Sequence, residues 1–314
     1  MQKVKSAVIG VGYLGRFHAQ KYHQLENAEL IAVCDANIEN ARKVAEELGV
    51  EAVTDYRELV GKVDAVSIVV PTQLHFEVAK AFLDVGTHVM LEKPITVTVE
   101  QAQILVDIAK EKDVIFQVGH LERFNPAILA LDSSLTQSLF IESHRVAPFN
   151  PRGADVSVIL DLMIHDIDII LDIVNSPVTH ISAKGVAVLS NDIDIANARL
   201  EFENGCVANV TASRAGMKSE RKMRLFQHDA YISIDFQNKT LGIHRKGSGE
   251  MFPGVANIES DEQAFAQGDA LLSEIESFLN CIQTRQPPVV SGEDGKRALE
   301  TAMEITRLLS ESKP

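Results

Sequence analysis

The chain has 314 residues, with 44 Asp and Glu against 30 Lys and Arg, for a formal net charge of −14. That length exceeds what one hydrophobic core normally fills, so two domains are expected. The acidic balance argues against nucleic-acid binding, which needs a basic face to displace counterions, but leaves room for a local basic pocket that holds an anionic small molecule.

The first third alternates strand-like and helix-like segments. Val4–Ile9 is a short apolar run, and a helical pattern follows from Tyr13 to His23. Glu29–Cys34 is a second apolar run, followed by a helix over Ile38–Leu48. Ala65–Val70 has the composition of a strand buried on both faces. Phe76–Leu83 reads as helix, His88–Leu91 as strand, Val99–Lys110 as helix and Val114–Val118 as strand. Such alternation implies parallel strands joined by right-handed crossovers. After residue 120 the pattern changes. One long helix is predicted from about Val156 to Val174. Successive strands are then predicted at Val178–Val188, Ala196–Phe202, Val207–Ala212, Arg221–Phe226, Tyr231–Asp235 and Thr240–His244. Gly247–Gly254 reads as a mobile loop, and helices over Leu271–Gln283 and Gly295–Ser310 close the chain. The fold class is therefore α/β. A Rossmann-type doubly wound parallel sheet occupies residues 1–120. An α+β domain with a large, mostly antiparallel open sheet occupies residues 121–314, its C-terminal helix a candidate to pack back on the first domain.

Cys34, Cys206 and Cys281 are scattered, which fits free buried thiols in a reducing compartment. No apolar run approaches the ~18–20 residues that span a bilayer, and no secretory signal pattern is present. A cytoplasmic protein that binds neither membrane nor nucleic acid is the expectation.

The loop Gly10-Val11-Gly12-Tyr13-Leu14-Gly15 follows a strand and opens a helix. Asp35 ends the next strand at the distance expected of a carboxylate on an adenosine ribose. Gly10 permits the tight turn, Gly12 lets the backbone approach a pyrophosphate, and Gly15 lets helix pack on strand. The helix N-terminus stabilises the phosphate charge. A plain strand-turn-helix is the weaker alternative. Asp35 would repel a 2′-phosphate, so the cofactor expected is NAD. Arg42, within reach of a 2′-phosphate in principle, reads as a surface charge at its helical position. Glu92-Lys93-Pro94 follows a strand at the carboxyl edge of the sheet, where ligands bind. Pro94 is a candidate for a cis bond, and a simple surface turn is an equal alternative there.

Together with Pro71-Thr72-Gln73-Leu74-His75 and Gly119-His120, these motifs resemble the Gfo/Idh/MocA oxidoreductases across essentially the whole chain. The resemblance implies that Lys93 lies in the active site and that Pro71, Thr72 and His75 line the cofactor with Glu92, Lys93 and Pro94. It also implies that a downstream Asp-x-x-x-His helix completes the site. That helix carries Asp161 and His165, whose spacing in an α-helix puts both on one face. The carboxylate can orient the imidazole, and histidine suits removal of a proton from a secondary alcohol. A metal shared by the pair ranks low, so no metal is expected. Asp166 and Asp168 read as solvent-facing or capping charges.

Where many members carry glycines, this chain has Asn150-Pro151-Arg152-Gly153-Ala154-Asp155. With Arg123-Phe124-Asn125-Pro126 and Arg145, this stretch resembles the family's nucleotide-sugar members, in particular those that oxidise C3 of UDP-N-acetylglucosamine toward a 2,3-diamino sugar for lipid A. Lys93, His120, Arg123, Asn125, Arg145, Arg152 and His165 are then the candidate substrate residues, the three arginines facing a diphosphate. Which of Lys93 and His165 is the base stays open. The alternatives are an inositol or free-sugar dehydrogenase, a non-catalytic NAD-binding regulator and an NAD-dependent glycoside hydrolase. The strands Ala196–Phe202 and Val207–Ala212 are expected to expose one apolar face, predicting a homodimer or homotetramer formed through the C-terminal sheet.

Overall fold

The computed structural model describes residues 3–131, 135–150, 156–266 and 268–311. It divides into two compact units, one of residues 1–124 and 269–299, the other of residues 125–268 and 300–314.

The first unit contains β1 (Val4–Ile9), α1 (Tyr13–Gln24), β2 (Ala28–Cys34), α2 (Ile38–Leu48), β3 (Glu51–Val53), β4 (Ala65–Ile68), α3 (Thr72–Leu83), β5 (His88–Glu92), α4 (Val99–Glu111) and β6 (Phe116–Gly119). Its strands pair in the order β3-β2-β1-β4-β5-β6, every ladder parallel. All four residues of β4 are buried, as an interior parallel strand covered on both faces requires. Helix boundaries follow local chemistry. The Asn37 side chain accepts the Glu39 N–H at the start of α2, and Gly49 ends that helix at φ 69°. Between β1 and β4 the strand order reverses direction, so the loops after those strands diverge and open a crevice.

The second unit contains α5 (Pro126–Leu129), β7 (Phe140–Val146), a π-helical turn at Ile159–Met163 running into α6 (Ile164–Val174), and seven more strands. These are β8 (Val178–Val186), β9 (Ile195–Phe202), β10 (Val207–Ser213), β11 (Glu220–Phe226), β12 (Ala230–Asp235), β13 (Thr240–Phe252) and β14 (Val255–Ala264). The eight strands run β14-β13-β12-β11-β7-β10-β9-β8. Among the described residues, the β7–β10 ladder alone is parallel in this sheet.

Three expectations are corrected here. The apolar positions of β9 and β10, such as Ala198, Leu200, Ala208 and Val210, are fully buried within this unit. The apolar face of α6 (Ile164, Ile167, Ile170) lies over β7 and β10 on that side of the sheet. The outward positions of β9, including Asn197 and Arg199, are polar, so the exposed apolar face predicted there does not exist. Gly247–Gly254 is not a loop but the far end of a long hairpin. β13 continues to Phe252, turns at Pro253-Gly254, and returns as β14. That hairpin is exposed on both faces beyond Arg245, so no apolar alternation marked it. Lastly, Asp166 and Asp168 are buried, at 1% and 2% exposure, rather than solvent-facing.

The chain closes with α7 (Ala270–Thr284) and α8 (Gly292–Glu311). Asp269 caps α7 by accepting the Leu272 N–H. Ile275, Phe278 and Leu279 of α7 join the first unit's core with Val8, Tyr22, Val33 and Met90.

Candidate functional site

The glycine loop is built as a cradle. Gly10 sits at φ +86°, and a side chain there would meet the Val69 carbonyl at 2.5 Å. A Cβ at Gly15 would run into the Gly10 carbonyl, so helix and strand approach as closely as the backbone allows. A Cβ at Gly12 would meet nothing within 4 Å. Gly12 starts α1 without any side-chain cap, and the first turn holds no acidic residue. The N–H groups there are left for an outside acceptor, which suits a pyrophosphate. Tyr13 and Leu14 project from this turn, 87% and 40% exposed.

Asp35 anchors the cradle. Its Oδ2 accepts the Val11 N–H at 2.9 Å and its Oδ1 accepts the Asn37 N–H at 2.9 Å. A cavity of about 610 Å³ opens beside it, lined by Gly10, Gly12, Asp35, Tyr56, Arg57, Pro71 and Leu74 among others. The residues present therefore fit a dinucleotide: uncapped amides for phosphate, a carboxylate beyond them, and space alongside. Arg42 is an exposed surface cation 3.9 Å from Glu39. Tyr56 and Arg57 belong to no sequence motif. Arg57 lies over the Tyr56 ring, and both donate to Glu77 of α3. Their only sequence signal is the short turn capped by Asp55.

Glu92-Lys93-Pro94 leaves the carboxyl end of β5, and the Lys93-Pro94 bond is cis. Glu92 pairs in register with Gly119 of β6, whose missing side chain makes room for it: a Cβ there would lie 2.9 Å from the carboxyl group. The Lys93 N–H donates to Glu92 Oε2 at 3.2 Å. Pro71 starts α3 with Thr72 as its first residue. From α3, His75 is buried with Nδ1 2.9 Å from the Pro94 carbonyl and Nε2 2.9 Å from the Val70 carbonyl. His75 therefore sits between the Pro71 turn and the Pro94 turn, and as a neutral ring it donates to one of the two carbonyls at a time. Burial holds its pKa down. His120, next to Gly119, is fully buried, and burial together with the Lys93 and Arg123 charges pushes its pKa down to about 3. It stays neutral at working pH. Arg123 is buried and donates to the Val289 carbonyl at 3.3 Å.

In the second unit the π-turn carries Asp161, exposed, and His165 follows in the first turn of α6, half-buried. A π-turn places His165 just short of one turn after Asp161, where an α-turn would place it just past one. Arg145 on β7 is 2% exposed and gives Nε and Nη2 to Asp166, the shortest contact being 2.7 Å. That pair ties α6 to the sheet. Asn125 caps α5 through Oδ1, which accepts the Ala127 N–H, and donates Nδ2 to the Phe236 carbonyl at 3.1 Å. Arg152 lies outside the described residues. Among the described residues no cluster of three or more His, Cys, Asp or Glu side chains is placed to hold a metal ion.

Residues 4–120 match the model of the oxidoreductase family with an NAD-binding Rossmann fold, and residues 136–233 match the GFO/IDH/MocA C-terminal domain. The chain belongs to the Gfo/Idh/MocA oxidoreductase family. Its cofactor is NAD. Within the family it is 41% identical over 306 residues to the UDP-N-acetylglucosamine 3-dehydrogenase of Acidithiobacillus ferrooxidans, covering 97% of each chain. The solved structure of the enzyme of that name from the same organism superposes with a TM-score of 0.92 at 39% identity, covering 99% of both chains. The myo-inositol 2-dehydrogenase of Thermotoga maritima is a more distant Gfo/Idh/MocA relative, 26% identical and covering 99% of this chain and 97% of its own.

Proposed function

We propose that this chain oxidises the C3 hydroxyl of UDP-N-acetylglucosamine to the 3-keto sugar. The observation that carries this reading is the 41% identity, spread over 97% of both chains, to a relative with that activity in its name. NAD, when bound, accepts the hydride. His165, oriented by Asp161, takes the hydroxyl proton, while the Lys93 ammonium holds and polarises the sugar oxygen. A half-buried histidine suits the first task because its ordinary pKa lies near neutrality. Lys93 suits the second because its peptide is held by Glu92, which fixes the base of a long side chain. Arg152 remains the candidate cation for the diphosphate. A 3-keto sugar suits reductive amination, so an aminotransferase is the class of enzyme that consumes it, in the cytoplasm, toward a diamino sugar of lipid A.

Incubation of the purified protein with NAD and a panel of UDP-sugars and free polyols tests the reading. Accumulation of NADH and a 3-keto product with UDP-N-acetylglucosamine is expected. Turnover of myo-inositol with none of the UDP-sugar would replace this reading with polyol oxidation, which the 26% identical inositol enzyme favours. His165→Asn should abolish turnover and spare NAD binding.

The proposal extends to assembly as a homodimer or homotetramer through the outward face of the C-terminal sheet. In place of the covered β9–β10 face, an aromatic row supports it. Phe140, Phe226, Tyr231 and His244 stand side by side across β7, β11, β12 and β13, successive ring centres 5.2–5.8 Å apart and all partly exposed.

A further inference from the structure

The Gly12–Gly15 turn and the Glu92-Lys93-Pro94 turn lie far apart in sequence, yet one side chain links the helix that begins at the first to the second. His18 sits on α1, one turn beyond Gly15, on the buried face that also holds Ala19 and Tyr22. It is fully buried, and its Nε2 lies 3.2 Å from Glu92 Oε1. An imidazole inside a parallel-sheet core is costly unless its hydrogen bond is made, and a hydrophobic residue would otherwise fill this position more favourably.

The carboxylate that His18 meets is held from three sides. Oε1 faces His18, Oε2 accepts the Lys93 N–H, and the absent side chain of Gly119 leaves the space beneath it. Burial pushes the Glu92 carboxyl up, but the hydrogen bond and charge of His18, with the Lys93 amide and ammonium, bring it below the ordinary carboxylate range. The other titratable groups that feel this carboxylate are His75 from α3 and His120 after β6, and His120 in turn faces Arg123 and, from α8, Asp294.

We propose that His18 is a positioning residue for catalysis: through Glu92 it fixes the Lys93 peptide and keeps a negative charge beside the Lys93 ammonium. The inference rests on the reading of Lys93 as an active-site residue. His18 touches neither reacting atom. It holds Glu92 ionised and in place, and Glu92 in turn sets where the lysine side chain starts and keeps a negative charge beside it. The same helix that presents its N-terminus to the cofactor thus also sets the geometry of the residue that holds the substrate.

The test compares His18→Phe and His18→Gln with the unmodified enzyme, using NAD and UDP-N-acetylglucosamine. His18→Phe is expected to lower kcat by ~10-fold to ~100-fold with NAD affinity, read by fluorescence titration, changed less than about twofold. It should also move the acid limb of the kcat/KM profile to higher pH, because Glu92 loses the hydrogen bond that opposes its burial. His18→Gln, whose amide can reach the same oxygen, should restore much of kcat and return the limb. A role confined to packing would change stability and leave that limb where it is. If His18→Phe fails to fold, a double-mutant cycle decides: His18→Ala, which removes the hydrogen bond, should lower kcat alone but add little on top of Glu92→Gln. Fully additive losses, or a folded His18→Phe with unchanged kcat and acid limb, would overturn the inference. Lys93→Met separates the two claims. If Lys93→Met keeps full turnover, the reading of Lys93 itself is wrong; if it is inactive while His18→Phe is unaffected, the inference about His18 alone fails.

Discussion

At Gly15 there is no space for even one added carbon, because the Gly10 carbonyl already occupies it. Gly15→Ala must therefore push α1 off β1 and misplace the amides that face the pyrophosphate. NAD binding is expected to weaken by ~100-fold or more, about 3 kcal/mol, in a fluorescence titration. Gly12→Ala, with open space around its Cβ, should fold normally, and its effect should appear only when the cofactor is present. His88 offers a second single-residue test, one of pH. Its Nδ1 accepts the Ile115 N–H at 2.8 Å, which requires a neutral ring, and burial with the nearby Arg285 charge pushes its pKa down to about 4. A histidine whose folded pKa lies below its unfolded value binds its proton more tightly when unfolded. Its contribution to stability is intact above pH ~6.5 and is lost as pH falls toward 4. Urea titrations across that window should show a loss of order 3 kcal/mol from this site, and His88→Asn should flatten it.

Among the elements, α6 depends most on a buried charge. The Arg145–Asp166 pair is almost wholly excluded from water, with side-chain exposures of 3% and 1%. Removing one partner leaves the other charge buried and unpaired. Arg145→Met is expected to cost about 3–5 kcal/mol in urea unfolding, whereas Arg145→Met with Asp166→Leu should recover most of that. The pair was not legible in advance. Asp166 follows His165 in a helix with an exposed Asp161, and nothing local distinguishes a buried aspartate from a solvated one. Its partner comes from a strand 21 residues earlier. Beyond Arg245 the β13–β14 hairpin was missed for the opposite reason. Its pairing is carried by backbone groups, while its side chains face water on both sides and impose no period-two pattern.

On the scale of the whole molecule, the aromatic row on the large sheet gives the proposed assembly a direct check. Light scattering should report a dimer or tetramer, and Phe226→Glu with Tyr231→Glu should yield a folded, smaller species; a wild-type monomer would remove the proposal. The sequence by itself determined the parallel alternation of the first unit, the glycine cradle with Asp35, and the family. Those features depend on neighbours close along the chain: a strand that runs into a tight turn, a helix that starts on glycine, a carboxylate at the end of the next strand. The motif also picked out Lys93 and the Asp161–His165 segment. Only the tertiary structure decided what surrounds them. It set Arg145 against Asp166, made Asn125 a helix cap, placed His75 between two carbonyls, and set His18 against Glu92, 74 residues away in sequence. The physical reason is that a buried polar group must find its partner wherever the packed chain puts one, and that distance in space leaves no trace in local spacing.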